Sequence, residues 1–344
     1  MAPVKNGRYL FNEIPSGYPI PGQTTVYDES ETIDLDTVPL NGGALVKLLV
    51  VSIDPYLRGR MRRAEAKSYN EPFKIGEPLM NWGVGLVLRS DSSSVKAGDH
   101  VYGYFKFQQY EIVDATRVLV LENKEGLPWS AYVGVAGMPG QTAYHAWKEF
   151  AEAKKGDTVF VTTGAGVVGA TVVQLAKADG LKVIASAGSD DKVEFMKSIG
   201  VDVPFNYKTT KTAEVLEKEG PINVYWDNVG GESFEAAIEY AAKGARFIEC
   251  GMISGYNTSE VYQVKNLMKI VTKQLHIHGF IVTDLMPKYN PEFYSSFVGR
   301  IGRGEIAYKE HLLVGLERAG EGILDVQSGR NFGKCVIVVG EDKA

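Results

Sequence analysis

V-F-V-T-T-G-A-G-V-V-G, residues 159–169, joins an apolar, β-branched run to a glycine loop and then directly to an apolar helical pattern. Gly164, Gly166 and Gly169 stand at the spacing G-x-G-x-x-G. The first glycine permits a tight turn, the second lets backbone N–H groups approach a phosphate, and the third lets helix and strand pack closely. The helix starting at Val167 and Val168 turns its amide end and positive dipole toward that position, which suits a pyrophosphate. The motif alone is weak among 38 glycines, so its surroundings decide. Lys155-Gly156-Asp157 is a turn, Thr158 to Thr163 a strand, Ala170 to Ala178 an amphipathic helix, and Leu181 to Ala185 the next strand. Together they make a βαβ unit of about 30 residues. A glycine-rich corner without a ligand is the plainer alternative; the strand-to-helix context favours a dinucleotide.

The tip of the second strand distinguishes the dinucleotides, because a carboxylate about 20 residues after the glycines would bind the ribose 2′-OH of NAD. Here the tip reads Ala185-Ser186-Ala187-Gly188-Ser189, with Lys192 one helical turn later. A 2′-phosphate would meet a hydroxyl and a cation, so NADPH is expected. Asp190 and Asp191 speak against this if the register shifts, although both also suit the first turn of a helix.

The length of 344 residues suggests two domains at about 150 residues each, and 44% hydrophobic with 23% charged residues is ordinary for a globular enzyme. A net charge of −5 and the lack of a long Lys/Arg block argue against nucleic-acid or anionic-membrane partners. Arg58, Arg60, Arg62 and Arg63 form the densest basic spot, read as a solvated loop or helix face, with contact to a cofactor phosphate as the alternative. There is no run of about 18 apolar residues and no apolar leader segment, so no membrane is expected and a cytoplasmic setting is. Cys250 and Cys335, the two cysteines, fit a reducing compartment.

Residues 1–130 read as short strands at Tyr9–Leu10, Ala44–Ser52, Trp82–Leu88, Val101–Tyr104 and Tyr110–Val113, separated by glycine turns. Residues 131–299 alternate helix and strand. Strands are expected at 159, 181, 203–205, 224–227, 245–250 and 275–281, with helices at 144–153, 167–178, 190–199, 212–218, 232–242 and 260–272. Six strands alternating with helices make a doubly wound parallel sheet. A helix at 293–302 and a strand at 332–339 remain over, so residues from about 300 to 344 are expected to complete the β-rich domain.

Several further motifs occur in order: Asp54-Pro55-Tyr56-Leu57-Arg58, Gly137-Met138-Pro139-Gly140-Gln141-Thr142-Ala143-Tyr144, the glycine loop, Gly188-Ser189-Asp190-Asp191-Lys192, Phe205-Asn206-Tyr207-Lys208, Asp227-Asn228-Val229-Gly230-Gly231, and Gly251-Met252-Ile253-Ser254-Gly255-Tyr256-Asn257. With them the chain resembles the zinc-independent branch of the medium-chain dehydrogenase/reductase superfamily, within it the prostaglandin/leukotriene reductases and alkenal double-bond reductases. The resemblance implies an α/β fold, a GroES-like β-rich catalytic domain plus a Rossmann domain, usually as a homodimer. It implies NADPH-dependent reduction of the α,β double bond of an apolar enone or enal. Ser189, Lys192, Tyr207 and Asn228 match positions that hold the adenosine end of the cofactor. Cys250, Gly251, Tyr256, Phe280, Ile281, Val282 and Asn331 match its nicotinamide half, and Tyr56 and Tyr256 face the substrate. Gln141 departs from the usual apolar residue and Gly255 from a bulkier one, which bears on substrate shape.

Two cysteines cannot build a Cys₄ zinc lobe, and where zinc-dependent relatives carry Gly-His-Glu this chain has Asn81-Trp82-Gly83. No metal is therefore expected, and His276 and His278 read as two residues on one strand face. Without a metal, a hydrogen-bond donor must meet the negative charge that grows on the enolate oxygen. Tyr256, just past a strand at the carboxyl edge of the sheet, is the first choice, with an aromatic wall as its alternative role. Tyr56 also reads as a core tyrosine with a satisfied hydroxyl. A quinone reductase and a non-catalytic NADPH-binding protein are the competing functions.

Overall fold

A computed structural model describes residues 2–343. The chain folds as two units, one built from the residues up to Gly134 together with those from Glu310 onward, the other from Val135–Lys309.

The second unit carries the glycine loop. Its strands β1 (Thr158–Val161), β2 (Lys182–Ala187), β3 (Val203–Asn206), β4 (Ile222–Asp227), β5 (Ala241–Glu249) and β6 (His276–Gly279) lie in the order 3-2-1-4-5-6, every pair parallel. Helices α1 (Val167–Ala178), α2 (Asp190–Ser198), α3 (Thr212–Glu219) and α4 (Gly231–Tyr240) connect the first five strands. A parallel sheet covered on both faces demands strands that are apolar throughout. Val159, Phe160 and Val161 in β1 and Val224, Tyr225 and Trp226 in β4 are all fully buried. Tyr225 stacks on Phe160 at 5.4 Å and meets Phe247 of β5 edge-on at 5.1 Å. The strand order reverses between β1 and β4, and a ligand crevice opens beyond the carboxyl ends of the strands at such a reversal.

Three elements depart from the sequence reading. Helix α4 stops at Tyr240 and β5 starts at Ala241, because Ala241 already pairs with Ile222 before the ladder slips to Val224–Arg246. The helix expected over 260–272 shrinks to Met268–Thr272, since Glu235 on α4 takes Lys265 N–H at 2.7 Å and Asn266 Nδ2 bonds the Glu235 carbonyl at 2.9 Å, holding the approach as loop. The strand at 275–281 ends at Gly279, and a helix over Val282–Glu292 follows in spite of Pro287 and Pro291 inside it. It runs on through a π-turn at Phe293–Phe297, where Val298 N–H bonds the Phe293 carbonyl. Buried Gln141 ties the helix Met138–Phe150 to this one, donating to Asn290 Oδ1 at 3.0 Å and Tyr294 Oη at 3.2 Å.

In the first unit the strand Ala44–Ser52 is central. It pairs antiparallel with Met80–Ser90, Tyr110–Val113 and Lys334–Val338, so the last residues of the chain share a sheet with the first hundred. Phe11, Val46, Val51, Phe105, Phe107 and Ile337 fill its core. The strand Glu310–Val314, absent from the sequence reading, lies parallel to Lys334–Val338 at the sheet edge. Among the described residues no helix is long and apolar enough to cross a membrane.

The arginine cluster is the exposed face expected of it only at Arg63. Arg60 is buried, donating to the carbonyls of Glu71 and Met80 and to the Tyr104 hydroxyl with Phe73 stacked beneath it at 4.0 Å. Arg58 holds the carbonyls of Pro15 and Gly17, and Arg62 those of Gly59 and Ala66. A guanidinium carries five donors in a rigid fork, so one arginine can anchor several loop carbonyls.

Lys334 Nζ meets Asp54 Oδ1 at 2.8 Å with side chains only 3% and 7% exposed. Removing one member strands the other charge in the core. Lys334→Met should therefore lower the stability of this unit by about 3–5 kcal/mol. Lys334→Met combined with Asp54→Asn should recover much of it, as read by denaturant unfolding; equal losses in single and double variants would contradict the pairing.

Candidate active site

The turn after β1 is tighter than any side chain permits. A Cβ on Gly164 would stand 2.7 Å from Met196 Sδ and 2.8 Å from Ala185 Cβ, and one on Gly169 would stand 2.3 Å from the Thr163 carbonyl oxygen. Thr163 sits at φ 52°, a strained setting for a β-branched residue. Gly166 differs: its nearest protein atom would be 3.4 Å away, so neighbouring protein does not require its bareness. It is also the N-cap of the twelve-residue helix α1 and offers no side chain to the first amides. Bare amides beside an open Cβ position fit the pyrophosphate of a dinucleotide.

The ends of β1 and β4 are tied together. Asn228 N–H donates to Thr162 Oγ1 at 2.8 Å, and Asn228 Nδ2 to the Thr162 carbonyl at 2.7 Å. Asp227 Oδ1 accepts the N–H groups of Val229 and Gly230, each at 2.8 Å, which fixes the turn that opens α4.

At the tip of β2, Gly188 lies under the Tyr207 ring, whose oxygen would be 2.8 Å from an added Cβ. Tyr207 is half exposed, and Lys192 stands on the first turn of α2. Burial lowers the Lys192 pKa, and Lys208 nearby adds to the effect. Both aspartates that might have taken a ribose are engaged. Asp190 Oδ1 accepts Asn206 Nδ2 at 2.8 Å, and Asp191 accepts the Ser189 hydroxyl.

Beyond β5 come Cys250 and Gly251, whose N–H groups donate to the Asp227 carbonyl at 3.0 and 3.1 Å. Tyr256 follows a short turn at Ile253–Gly255. Its oxygen accepts Met252 N–H at 3.4 Å and lies 3.1 Å from where a Gly251 Cβ would be. Burial holds the phenol above the ordinary tyrosine value, so it stays protonated. Phe280 packs edge-on against Trp226 at 6.1 Å; Ile281 caps the helix that Val282 begins. Asn331 belongs to the first unit, its Nδ2 donating to the Gly333 carbonyl at 2.8 Å. So does Tyr56, whose hydroxyl donates to Asn81 Oδ1.

The family model described as zinc-binding dehydrogenase matches residues 166–298, and that of the N-terminal domain of oxidoreductases matches residues 8–121. The chain is 39% identical to the NADP-dependent oxidoreductase RED1 of Cochliobolus heterostrophus, with 98% of each chain covered. It is 36% identical to the NADP(+)-dependent 2-alkenal reductase of Nicotiana tabacum, over 98% of this chain and 99% of that one. Among solved structures it is similar to CurA from Vibrio vulnificus in complex with NADPH, with a TM-score of 0.89, 32% identity and coverage of 97% and 99%. The chain belongs to the medium-chain dehydrogenase/reductase superfamily, among members like the alkenal double-bond reductases. Its fold is that superfamily's, a Rossmann sheet and a separate β-rich sheet. Among the described residues of this superfamily member, no group of three or more His, Cys, Asp or Glu side chains is disposed to hold a metal ion. His278 is half-buried and stacks on Phe150 at 4.9 Å.

Sequence reasoning missed Glu249. It pairs in register with Asp227 across β4 and β5, and Asp227 Oδ2 and both Glu249 oxygens are buried without a well-placed hydrogen-bond donor. Its only sequence signal is a carboxylate ending an apolar strand. Burial, with the Asp227 carboxyl adding to it, raises Glu249 from 4.5 to about 9, and burial raises the Cys250 thiol to about 12. The folded chain thus keeps a proton that the unfolded chain releases between those two Glu249 values, so stability falls as pH climbs through that window. Glu249→Gln should flatten the fall and raise Tm on the alkaline side, measured by scanning calorimetry from about pH 5 to 9. An unchanged slope would show that the carboxyl pair holds no such proton.

Proposed function

We propose that this chain is an NADPH-dependent reductase of the α,β double bond of enones and enals. The carrying observation is Tyr256, a phenol that burial keeps protonated and whose oxygen accepts Met252 N–H. An enolate oxygen taking charge during reduction needs such a donor.

NADPH, when bound, supplies the hydride for the β carbon. Gly164, Gly166 and Gly169, with the Val167 and Val168 amides, would take the pyrophosphate. Lys192 and Ser189 would meet the 2′-phosphate, Gly188, Tyr207 and Asn228 the adenosine side, and Cys250, Gly251, Tyr256, Phe280, Ile281, Val282 and Asn331 the nicotinamide half. The prior engagement of Asp190 and Asp191 supports a phosphorylated ribose over a bare one. Tyr256 and Tyr56 would contact the substrate. Two free cysteines, both with thiols pushed up by burial to about 12, support a reducing, cytoplasmic setting without thiol catalysis.

Incubation with NADPH and a panel of enones, enals, quinones and ketones tests this reading. Saturated ketones and aldehydes should form from the conjugated substrates. Turnover of quinones alone would point to a quinone reductase, and NADPH binding without oxidation to a binding protein. Lys192→Ala should weaken NADPH about tenfold or more and leave NADH nearly unchanged, since one charge-assisted phosphate contact is lost. Equal losses for both would remove the phosphate assignment.

The usual assembly in this superfamily is a homodimer, and the open edge of the Rossmann sheet supports it here. Among the described residues β6 pairs with β5 alone; Ile277 on it is exposed, as are Leu267, Met268 and Val271 in the segment that leads into it, the last two at 71% and 69%. An unpaired edge strand invites a second strand, and a twofold axis lets two copies cover each other. Met268→Asp with Val271→Asp should shift the sedimenting species from dimer to monomer at micromolar concentration. A wild-type chain that sediments as a monomer would count against the assembly.

A further inference from the structure

The bond that keeps Asp191 away from a ribose also spends a proton that a 2′-phosphate would need. Asp191 stands in the first turn of α2, next to Lys192, and accepts the hydroxyl of Ser189, the residue that precedes the helix. A carboxylate is a pure acceptor, so Ser189 is the donor. Ser189 gives no side-chain cap to the α2 amides, which is the usual task of a serine in that position. Asp191 turns back on the helix start instead. The Ser189 hydroxyl does most to lower the Asp191 pKa; against slight burial, the N–H groups of Lys192 and Asp191 and the Lys192 ammonium add to the lowering. One carboxylate thus draws on a hydroxyl, backbone amides and a cation, the same kinds of group that hold a phosphate. Asp190 differs. Its partner is Asn206 Nδ2 at the end of β3, and Asn206 Oδ1 accepts Lys208 N–H at 3.1 Å, which fixes that amide the other way round.

We infer that the Asp191 carboxylate is an internal competitor for the 2′-phosphate, engaging Ser189 and Lys192 and giving them up when a phosphorylated cofactor binds, so that Asp191 limits how tightly NADPH is held. This rests on the reading above that Ser189 and Lys192 meet the 2′-phosphate. A hydroxyl has one proton. While that proton points at Asp191, a phosphate oxygen arriving at Ser189 meets only lone pairs, and two anions beside one lysine repel each other. Binding therefore includes the cost of turning Ser189 from one anion to the other. A cofactor without the phosphate makes no such demand and leaves the Asp191 bond in place. Asp190 imposes no comparable cost, because its donor, Asn206, is not one of the groups assigned to the phosphate.

The experiment is calorimetric titration of the full-length protein with adenosine 2′,5′-bisphosphate and AMP, and with NADPH and NADH, so that binding is read without turnover. Asp191→Asn keeps the side-chain shape and removes the charge. It should tighten the bisphosphate and NADPH about fivefold and leave AMP and NADH within about twofold, the scale of one exposed charge contact. Asp190→Asn should tighten the bisphosphate less than about twofold, which separates a general loss of negative charge from competition for Ser189. The Ser189→Ala background closes the cycle: there Asp191→Asn should gain distinctly less than in the wild type, because the shared proton is gone. No gain in Asp191→Asn would overturn the inference, as would a gain equal to that of Asp190→Asn or one undiminished by Ser189→Ala. A merely structural role at the start of α2 predicts weaker binding of all four ligands, and that result would overturn it as well. The underlying reading fails separately: if Lys192→Ala weakens AMP as much as the bisphosphate, the phosphate is not at Lys192, whereas a selective loss there without a gain in Asp191→Asn sinks the competition alone.

Discussion

The close approach of helix α1 to the end of β1 is the constraint from which the rest of the Rossmann unit follows. Gly164 and Gly169 are bare because Met196, Ala185 and the Thr163 carbonyl occupy the space a side chain would need. Thr163 accepts a left-handed backbone to make the turn, and strain of that kind, about 1–3 kcal/mol, persists only where surrounding packing fixes it. The fully buried β1 and β4 supply that packing. Gly166 is the exception that gives the turn a purpose, since its open side faces no protein atom closer than 3.4 Å.

Six parallel strands were legible because their signals are local and repeated: apolar runs, a turn residue, then a helical period. Element ends were less legible, for reasons that lie elsewhere in the chain. Segment 260–267 carries no strong breaker, yet Glu235 on α4 takes its amides and prevents the expected helix. Pro287 and Pro291 read as stop signals, but the helix around them is secured by contacts such as Gln141 with Asn290 and Tyr294. The arginine cluster misled in the same way. Composition says that arginines are solvated, whereas Arg60 finds two carbonyls, a phenol and an aromatic face inside the fold. At the site, the glycines could be read singly from spacing. The Asn81 and Glu249 partnerships could not, because each joins strands whose register no local pattern encodes.

Both units place a carboxylate at a strand end, and the neighbours give each a different character. Asp54 has the Lys334 ammonium at 2.8 Å, a full countercharge. Asp227 has two backbone amides instead, and beside it is Glu249, a second carboxyl with no cation. Two carboxyls so close and so dry hold a proton between them, for the reason that raises Glu249 far above the ordinary range. The first arrangement anchors three neighbouring strands. The second ties the integrity of the β4–β5 end to pH, and it lies directly before Cys250 and Gly251.

A hydroxyl in a protein is described by where its proton goes as much as by where its oxygen sits. Tyr56 and Tyr256 are both tyrosines with raised phenol values, and by residue type they are interchangeable candidates for the same task. Their partners separate them. Asn81, fixed in orientation by two acceptors behind it, takes the Tyr56 proton; Met252, a backbone donor, takes the Tyr256 lone pair. A growing negative charge is stabilised by a donor and not by an acceptor, so two phenols of one residue type differ in what they can offer. That difference follows from counting protons along two short chains of hydrogen bonds.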